Sequence, residues 1–155
     1  MTKANKNIFI LHRAKKFRFS IKSLLRLYLW YIRTGLEYAA PVWHSSLTQA
    51  QSNRVERIQK RCFRIILGRE YTSYDDALAR LECSALQERR KTLSLRFGKS
   101  LLRSPFHRDL LPPTVGQVHG RNTRHRHRLQ PIRCTKEFYQ KSTIPYIVSL
   151  LNHEL

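Results

Sequence analysis

The sequence predicts a mainly α-helical protein: a small helical bundle with a basic N-terminal arm and a basic, largely irregular C-terminal arm followed by a short terminal helix. Two observations indicate this class. Between Leu24 and Leu101, apolar residues recur at three- and four-residue spacings, which is the pattern of amphipathic helices. Capping residues, Pro41 and Gly68 divide the same stretch where helices begin and end, and Pro105 follows it.

Four segments follow from this pattern. Residues 1–20 carry six lysines and arginines and no acid, so we predict a solvated basic arm or short basic helix there. Residues 21–104 hold the helical core. Residues 105–136 form a proline-containing and basic loop or arm, and residues 137–155 return to the core.

The first core helix begins at Ser20 or Ser23, either of which can serve as its N-cap. Its apolar residues cover nearly the whole circumference, so we expect burial on more than one side; they are Leu24, Leu25, Leu27, Tyr28, Leu29, Trp30 and Ile32. Pro41 predicts a turn at Ala40–Pro41, because a proline disfavours helical geometry in the residue before it. Tyr38 and Trp43 are expected to pack in the core rather than stack on bases.

A second helix is predicted to begin at Thr48, which forms a capping box with Gln51, and to end at Gly68. On a helical wheel one face is apolar, formed by Val55, Ile58, Cys62, Ile65 and Ile66. The other face carries five cations, Arg54, Arg57, Lys60, Arg61 and Arg64. Glu56 can pair with Lys60 one turn later.

Two further helices are predicted before the prolines. One runs from about Tyr71 to Leu81, enters through Thr72 or Ser73, and places Asp75 and Asp76 in its first turn. The other begins with the capping box of Ser84 and Gln87. It has an apolar face of Leu86, Leu93, Phe97 and Leu101 beside the cations Arg89, Arg96, Lys99 and Arg103.

The C-terminal part combines a basic arm with a final helix. Residues 121–136 hold six cations and no acid, so this arm is not expected to fold unaided. The apolar run from Ile144 to Asn152 is predicted to return to the core as a helix, with Pro145 tolerated in its first turn.

Charge is the main functional signal. Thirty lysines and arginines face ten acids, for a formal charge of +20, and such an excess is typical of proteins that neutralise phosphates. We therefore predict sequence-tolerant binding to RNA or DNA. The expected binding residues lie on two helices and in the basic arm: Arg57, Lys60, Arg61, Arg64, Arg89, Arg96, Lys99, Arg121, Arg124, Arg126 and Arg128.

Other classes are disfavoured. The longest apolar stretch, Leu24 to Ile32, is broken by Arg26 and is too short to span a membrane. The N-terminus lacks the apolar region of a secretory signal, so we expect an intracellular protein, nuclear or cytoplasmic. Three widely spaced cysteines are expected to be reduced thiols.

No catalytic residue, metal site or cofactor is predicted. Tyr74-Asp75-Asp76 has the spelling of part of a polymerase signature, yet it precedes a helical pattern rather than lying in a hairpin. His125 and His127 alternate with arginines and have no nearby carboxylate to orient them, so we interpret them as part of the solvated basic arm.

The chain resembles the region that follows the polymerase domain of LINE-type (non-LTR) retrotransposon reverse transcriptases. The resemblance is carried mainly by Tyr31-Ile32-Arg33, by Leu36 to Trp43 and by Val55 to Arg61. Later segments continue it: Ile65 to Gly68, Leu111-Pro112-Pro113, Cys134-Thr135, Ile144-Pro145-Tyr146 and Leu150-Leu151-Asn152. These pieces occur in order over roughly residues 24–152.

The resemblance implies a carboxy-terminal fragment of a transposable-element polyprotein. The polymerase domain would lie upstream of Ile21, so no catalytic residue of the family has a counterpart here and we expect no enzymatic activity. The parent's polymerase domain is a possible partner. Two alternatives stay open: a stand-alone basic nucleic-acid-binding protein, and a structural fragment that needs the missing domain to fold.

Overall fold

The computed structural model describes residues 2–120 and 124–154. In chain order the helices are α1 (Thr2–Lys16), α2 (Ile21–Leu27), α3 (Thr34–Glu37), α4 (Ala40–Trp43), α5 (Gln49–Leu67), α6 (Tyr74–Arg80), α7 (Leu86–Arg103), α8 (Val115–His119), α9 (Glu137–Gln140) and α10 (Thr143–Glu154). A π-helical segment, Tyr28–Arg33, continues α2 into α3. The predicted mainly α class is confirmed.

The chain divides into two compact units, and each has its own apolar cluster. Unit 1 comprises Met1–Tyr38 and Thr48–Arg89, and unit 2 comprises Ala39–Leu47 and Arg90–Leu155. The boundary therefore falls inside α7. This differs from the single core predicted over residues 21–104, since the apolar residues of the last helix pack with those of α7 in a separate cluster.

Helix α5 is the central helix of unit 1, and its predicted N-terminal capping box is confirmed. The Thr48 hydroxyl accepts from the Gln51 amide, and the Gln51 side chain accepts from the Thr48 amide. Gly68 ends the helix as predicted, with a positive φ of 61° that a residue without Cβ adopts readily. Its ψ of −119° differs from the left-handed helical cap that we expected. The predicted apolar face is also confirmed, with Ile58, Cys62 and Ile66 fully buried and Val55 and Ile65 partly so.

The prediction of a basic arm over residues 1–20 is corrected. Helix α1 buries Ile8, Leu11 and Ala14 in the cluster of unit 1, while the described cations between them stay at the surface or partly covered. The three apolar residues recur every third residue, and this spacing places them on one helical face. Residues 2–16 are thus a core helix with a basic outer surface.

The segment from Leu24 to Leu36 does not bury its whole circumference as predicted. Burial is complete along a four-residue repeat, Leu24, Tyr28, Ile32 and Leu36. A four-residue repeat drifts around an ordinary α-helix, and the wider π turns oppose that drift, which keeps the row on one side of the segment. Within this row, Tyr28 contacts Gln59 and Phe63 of α5. Trp30 lies on the other side and is 69% exposed.

The turn before α4 also departs from the expectation. Ala39, rather than Ala40, leaves the helical region, with φ of 51°, and Pro41 occupies the first turn of α4. Tyr38 is 81% exposed, so its prediction as a core residue is wrong. Trp43 is partly buried.

Helices α6 and α7 begin differently from one another. Ser73 caps α6 by accepting from the Asp76 amide, as predicted for this helix. At α7 the first helical residue is Leu86, and its amide donates 3.0 Å to Oε1 of Glu56 on α5. A carboxylate from another helix therefore caps the amino end of α7, where the sequence predicted a local capping box.

Unit 2 is built from α7 and α10. Its cluster contains Leu101, Leu111, Leu129, Ile147, Val148 and Leu151, and Pro145 lies in the first turn of α10, as predicted. The predicted inner face of α7 is only partly correct, because Phe97 is exposed while Arg90 and Ser94 are fully buried. Nε of Arg90 donates to Nδ1 of His44 at 3.5 Å, and its guanidinium lies 5.8 Å from the Trp43 ring centroid.

Residues 121–136 were expected not to fold unaided, but the described part of this arm is held by main-chain bonds to residues 113–116. An antiparallel bridge joins Thr114 and Leu129, and the amides of Val115 and Gly116 donate to the carbonyls of Arg128 and Arg126. The Asn152 side chain on α10 bonds both the amide and the carbonyl of Leu129. Leu129 itself is buried.

Candidate nucleic-acid interface

The outer side of α5 carries a row of four exposed arginines, Arg54, Arg57, Arg61 and Arg64. Their spacings of three, four and three residues keep them on one stripe of the helix. Three of them belong to the predicted binding set, and Arg54 extends it by one turn. We call these four residues the arginine stripe.

The one acid of α5 does not neutralise the stripe. Glu56 is turned inward, where its Oε1 accepts a hydrogen bond from the Tyr74 hydroxyl and another from the Leu86 amide. Burial, together with the bond to Glu56, raises the pKa of Tyr74, so the phenol remains a donor. The pairing of Glu56 with Lys60 that we expected is replaced by these contacts, and the stripe keeps its positive charge.

Two cations of α5 lie over aromatic rings of residues that follow the helix. Lys60 Nζ lies 4.7 Å from the ring centroid of Tyr74, and the Arg64 guanidinium lies 5.4 Å from that of Tyr71. Cation–π contacts of this kind fix long side chains at modest energies. Lys60 is partly buried by its contact, whereas Arg64 remains exposed.

Arg89 has a structural role that we did not predict. Its guanidinium forms a two-point ion pair with the Glu37 carboxylate, through Nε to Oε1 and through Nη2 to Oε2 at 3.0 Å. The Glu37 side chain is 11% exposed. The hydrogen bond to Glu37 raises the pKa of Arg89, and an arginine committed to a largely buried carboxylate has little capacity left for phosphate.

The described α7 cations of unit 2 line a shallow groove. Arg96, Lys99 and Arg103 border it together with Ser100 and Ser104. Lys99 also forms an exposed ion pair with Glu154, which a phosphate can displace at small cost because surface pairs contribute little. The Ser100 hydroxyl donates to the Phe97 carbonyl and the Ser104 hydroxyl is bonded to Nδ1 of His107, so the groove depends on its cations for phosphate contacts.

The basic arm supplies further cations at the surface of unit 2. Arg124 and Arg126 are exposed, and Arg128 is partly buried. Nε of Arg126 donates 2.9 Å to Nε2 of His127. Arg121, which we also predicted to bind, lies outside the described residues.

Sequence reasoning missed a second group of candidates in α1 and the turn after it. Phe9, Phe17 and Phe19 are exposed beside Arg13. The signal was the interleaving of phenylalanines with cations in residues 9–19, where no acid occurs. We assigned these residues to a solvated arm or a short basic helix and therefore did not expect the three rings to lie together at its end.

The carboxylates at Asp75 and Asp76 lie in the first turn of α6, as predicted. Asp76 accepts from the Thr72 hydroxyl at 2.7 Å and pairs with Arg80 at 3.1 Å. Both contacts belong to helix capping and helix-surface pairing. Within residues 2–120 and 124–154, no group of three or more histidines, cysteines or acids is placed to hold a metal ion.

The three cysteines are free thiols, and Cys62 is buried. Burial raises the pKa of Cys62 to about 12, which keeps it protonated and chemically inert at neutral pH. Among the described helices, none combines the length and apolar character needed to cross a membrane.

Comparisons of this chain with protein-family models, with curated proteins and with solved structures gave no match.

Proposed function

We propose that this chain is a non-catalytic nucleic-acid-binding module, corresponding to the tail of a LINE-type reverse transcriptase, that holds RNA or DNA through the phosphate backbone. The arginine stripe of α5 carries the proposal. Four guanidinium groups follow one helical line, and the acid of the same helix is occupied by Tyr74 and Leu86.

The four cations of the arginine stripe repel one another. Four like charges on one helical stripe destabilise the helix slightly, and the structure turns away the one side chain of α5 that could have relieved this. Such an arrangement is favourable when an anion occupies the surface, because phosphate contacts release condensed counterions and neutralise the stripe. Guanidinium groups also bind phosphate through two parallel hydrogen bonds.

The proposal assigns binding without sequence preference. Phosphate contacts fix position on a strand but carry no base information. The resemblance to the retrotransposon family supports the choice of RNA or DNA as partner and the absence of a catalytic role. An intracellular location, nuclear or cytoplasmic, goes with that partner.

Salt titration tests the proposal. Affinity for a labelled duplex, followed by fluorescence anisotropy, is expected to fall steeply between 50 and 200 mM salt, and the slope should decrease by roughly 0.9 for each phosphate contact removed. The variant Arg57→Gln/Arg61→Gln removes two stripe cations. The matched control, Arg133→Gln/Lys136→Gln, removes two exposed cations outside the predicted set.

A smaller salt slope in the stripe variant and a nearly unchanged slope in the control support the stripe as the binding surface. Equal changes in the two variants would show that net charge alone drives association. Affinity independent of salt, or no binding at 50 mM salt, contradicts the proposal.

One observation favours a structural role as the second candidate. Trp30 and Tyr31 are both more than half exposed on the outer side of the π-helical segment, and large exposed rings often mark a surface that another protein covers. The parent's polymerase domain would be that protein. Sedimentation of the isolated chain tests this, since an uncovered face should cause self-association that Trp30→Ser reduces.

A further inference from the structure

A groove lined by aromatic rings lies on the surface of unit 1, separate from the arginine stripe. It has a volume of about 410 Å³ and is formed by α1, the turn that follows it and α2. Its three rings are Phe9, Phe17 and Phe19, which are 62%, 70% and 51% exposed. Side chains of this size and exposure are uncommon in groups on a protein that binds nothing there.

Local backbone geometry holds the rings in place. The Phe19 amide donates to the Ala14 carbonyl and the Arg18 amide to the Lys15 carbonyl, which is the hydrogen-bond pattern of a Schellman motif. Arg18 adopts the left-handed conformation that this motif requires, with φ of 56°. The motif fixes the backbone on both sides of Arg18, so the Cα positions of Phe17 and Phe19 are set before any ligand arrives.

The charge around the groove is uniformly positive. Arg13 lines it and places its guanidinium 5.8 Å from the Phe9 ring centroid. Lys16, Arg18, Lys22 and Arg26 are exposed on the same elements, and residues 2–33 contain no acid. A ligand of this groove is therefore anionic and also presents apolar, flat groups to the rings.

We propose that this groove binds single-stranded RNA or DNA by stacking unpaired bases on Phe9, Phe17 and Phe19 while Arg13 and its neighbouring cations contact the phosphates. The proposal rests on the nucleic-acid-binding function proposed above and adds a preference for unpaired strands. Bases offer both properties that the groove requires, since every base has a flat apolar face and every nucleotide a charge. Bases paired within a duplex are stacked on one another and cannot enter.

The arrangement of rings and cations favours a strand over a membrane surface. A strand alternates flat bases with phosphates, and the groove likewise places the Arg13 guanidinium beside the Phe9 ring. Its apolar floor, Ala14 and Leu27, suits the face of a base. Stacking of this kind is tolerant of sequence and contributes roughly 1–3 kcal/mol per base.

The test compares an unpaired strand with a duplex. Phe17→Ala/Phe19→Ala is expected to weaken binding of labelled oligothymidylate by about fivefold to 100-fold for each stacked base lost, with duplex affinity unchanged. The matched control is Phe106→Ala/Phe138→Ala, which removes two phenylalanines of unit 2 that are 89% and 83% exposed. The control should leave both affinities unchanged.

Two more variants distinguish loss of stacking from loss of folding. Phe17→Ala alone keeps the Phe19 side chain, which is part of the Schellman motif. Circular dichroism checks that each variant is folded. Phe17→Trp retains a flat ring, so it should restore oligothymidylate affinity. Its indole emission should also be quenched on binding beyond the change seen in the wild type, which contains Trp30 and Trp43.

The outcomes separate this proposal from the function on which it rests. If the wild type binds neither nucleic acid, the proposed function fails. If it binds both and the phenylalanine variants bind like the wild type, or lose both affinities equally, the stacking proposal alone is overturned. Loss of binding to vesicles containing phosphatidylserine, with oligothymidylate affinity unchanged, would assign the groove to a membrane instead.

Discussion

The Tyr28 hydroxyl donates a 2.7 Å hydrogen bond to Oε1 of Gln59, and both side chains are buried. Nε2 of Gln59 in turn donates 3.0 Å to the carbonyl of Ser84. Burial strongly raises the pKa of Tyr28, so its phenol stays protonated and continues to donate. This chain of bonds connects the π-helical segment, α5 and the residues before α7 within unit 1.

Tyr28→Phe is expected to lower the free energy of unfolding by about 1–3 kcal/mol, because Oε1 of Gln59 loses its donor in a buried site. Urea denaturation followed by circular dichroism measures the change. Tyr31→Phe is the control, since its ring is 58% exposed and its hydroxyl reaches water. Equal stability of the two variants would contradict a structural role for the buried bond.

Ile58→Ala is expected to cost roughly 2–5 kcal/mol, because Ile58 is 7% exposed on the inner face of α5 and truncation leaves a cavity. The stripe variant Arg57→Gln/Arg61→Gln should unfold at nearly the wild-type urea concentration, or slightly above it as repulsion falls. If the glutamine variant is unfolded while Ile58→Ala remains stable, the inner and outer faces of α5 are assigned the wrong way round.

Gly98→Ala tests the packing of α7 on α10 in unit 2. A Cβ at Gly98 would lie 2.6 Å from Cγ2 of Ile147 and 3.3 Å from Cδ1 of Leu151. Overpacking of this kind costs about 1–3 kcal/mol, which outweighs the roughly 1 kcal/mol that alanine adds to helix propensity.

Gly35→Ala provides the matched control for that substitution. It also places a methyl group in a helix, but the structure has nothing within 4 Å of the added Cβ, so a gain of about 0.5–1 kcal/mol is expected. The melting temperature should therefore fall for Gly98→Ala and rise for Gly35→Ala. A melting temperature that rises for Gly98→Ala would show that α10 yields to the added methyl group.

His44 should make unit 2 sensitive to acid. Burial, then the charges of Arg90 and Lys91, lowers the pKa of His44 below 6.5, and its Nδ1 accepts from Arg90 while its ring lies edge-on to Tyr146. The unfolded chain therefore binds the proton more readily. The stability that neutral His44 contributes is present above about pH 6.5 and is lost as pH falls from there through the lowered pKa.

His44→Gln isolates this contribution, because every other histidine is retained. Urea denaturation at intervals from pH 7.5 to 5 should show the wild type losing stability faster than the variant, with a difference in slope of at most about 1.4 kcal/mol per pH unit. A difference between the two proteins that stays constant across this range would show that His44 does not titrate with folding.

Local sequence rules were sufficient for the helices whose signals lie within one element. The capping box of Thr48 and Gln51, the Ser73 cap and Pro145 in a first turn all depend on groups a few residues apart. The apolar face of α5 follows from its spacing in the same way. These features could be predicted because the interacting atoms are close along the chain.

The failures have two origins. Residues 1–20 were predicted from their charge as a solvated arm or short basic helix, and the local spacing of Ile8, Leu11 and Ala14 was overlooked. The other failures depend on residues that are distant in sequence. Arg90 was not predicted as a buried residue, and its burial depends on His44 and Trp43, nearly fifty positions earlier. Arg89 was predicted to bind phosphate, but it donates to the carboxylate of Glu37, which is distant in sequence.

By itself the sequence determined the helical class, the ends of α5, the start of α6 and the excess of positive charge, since each depends on local spacing or on composition. The tertiary structure decided which cations remain available. It directed Glu56 to Tyr74 and Leu86, which left the stripe Arg54, Arg57, Arg61 and Arg64 without an acid on its own helix. It also directed Arg89 to Glu37. The physical reason is that an ion pair or a cap is chosen by distance in space, and folding brings together groups that lie far apart in sequence, 52 residues in the case of Glu37 and Arg89.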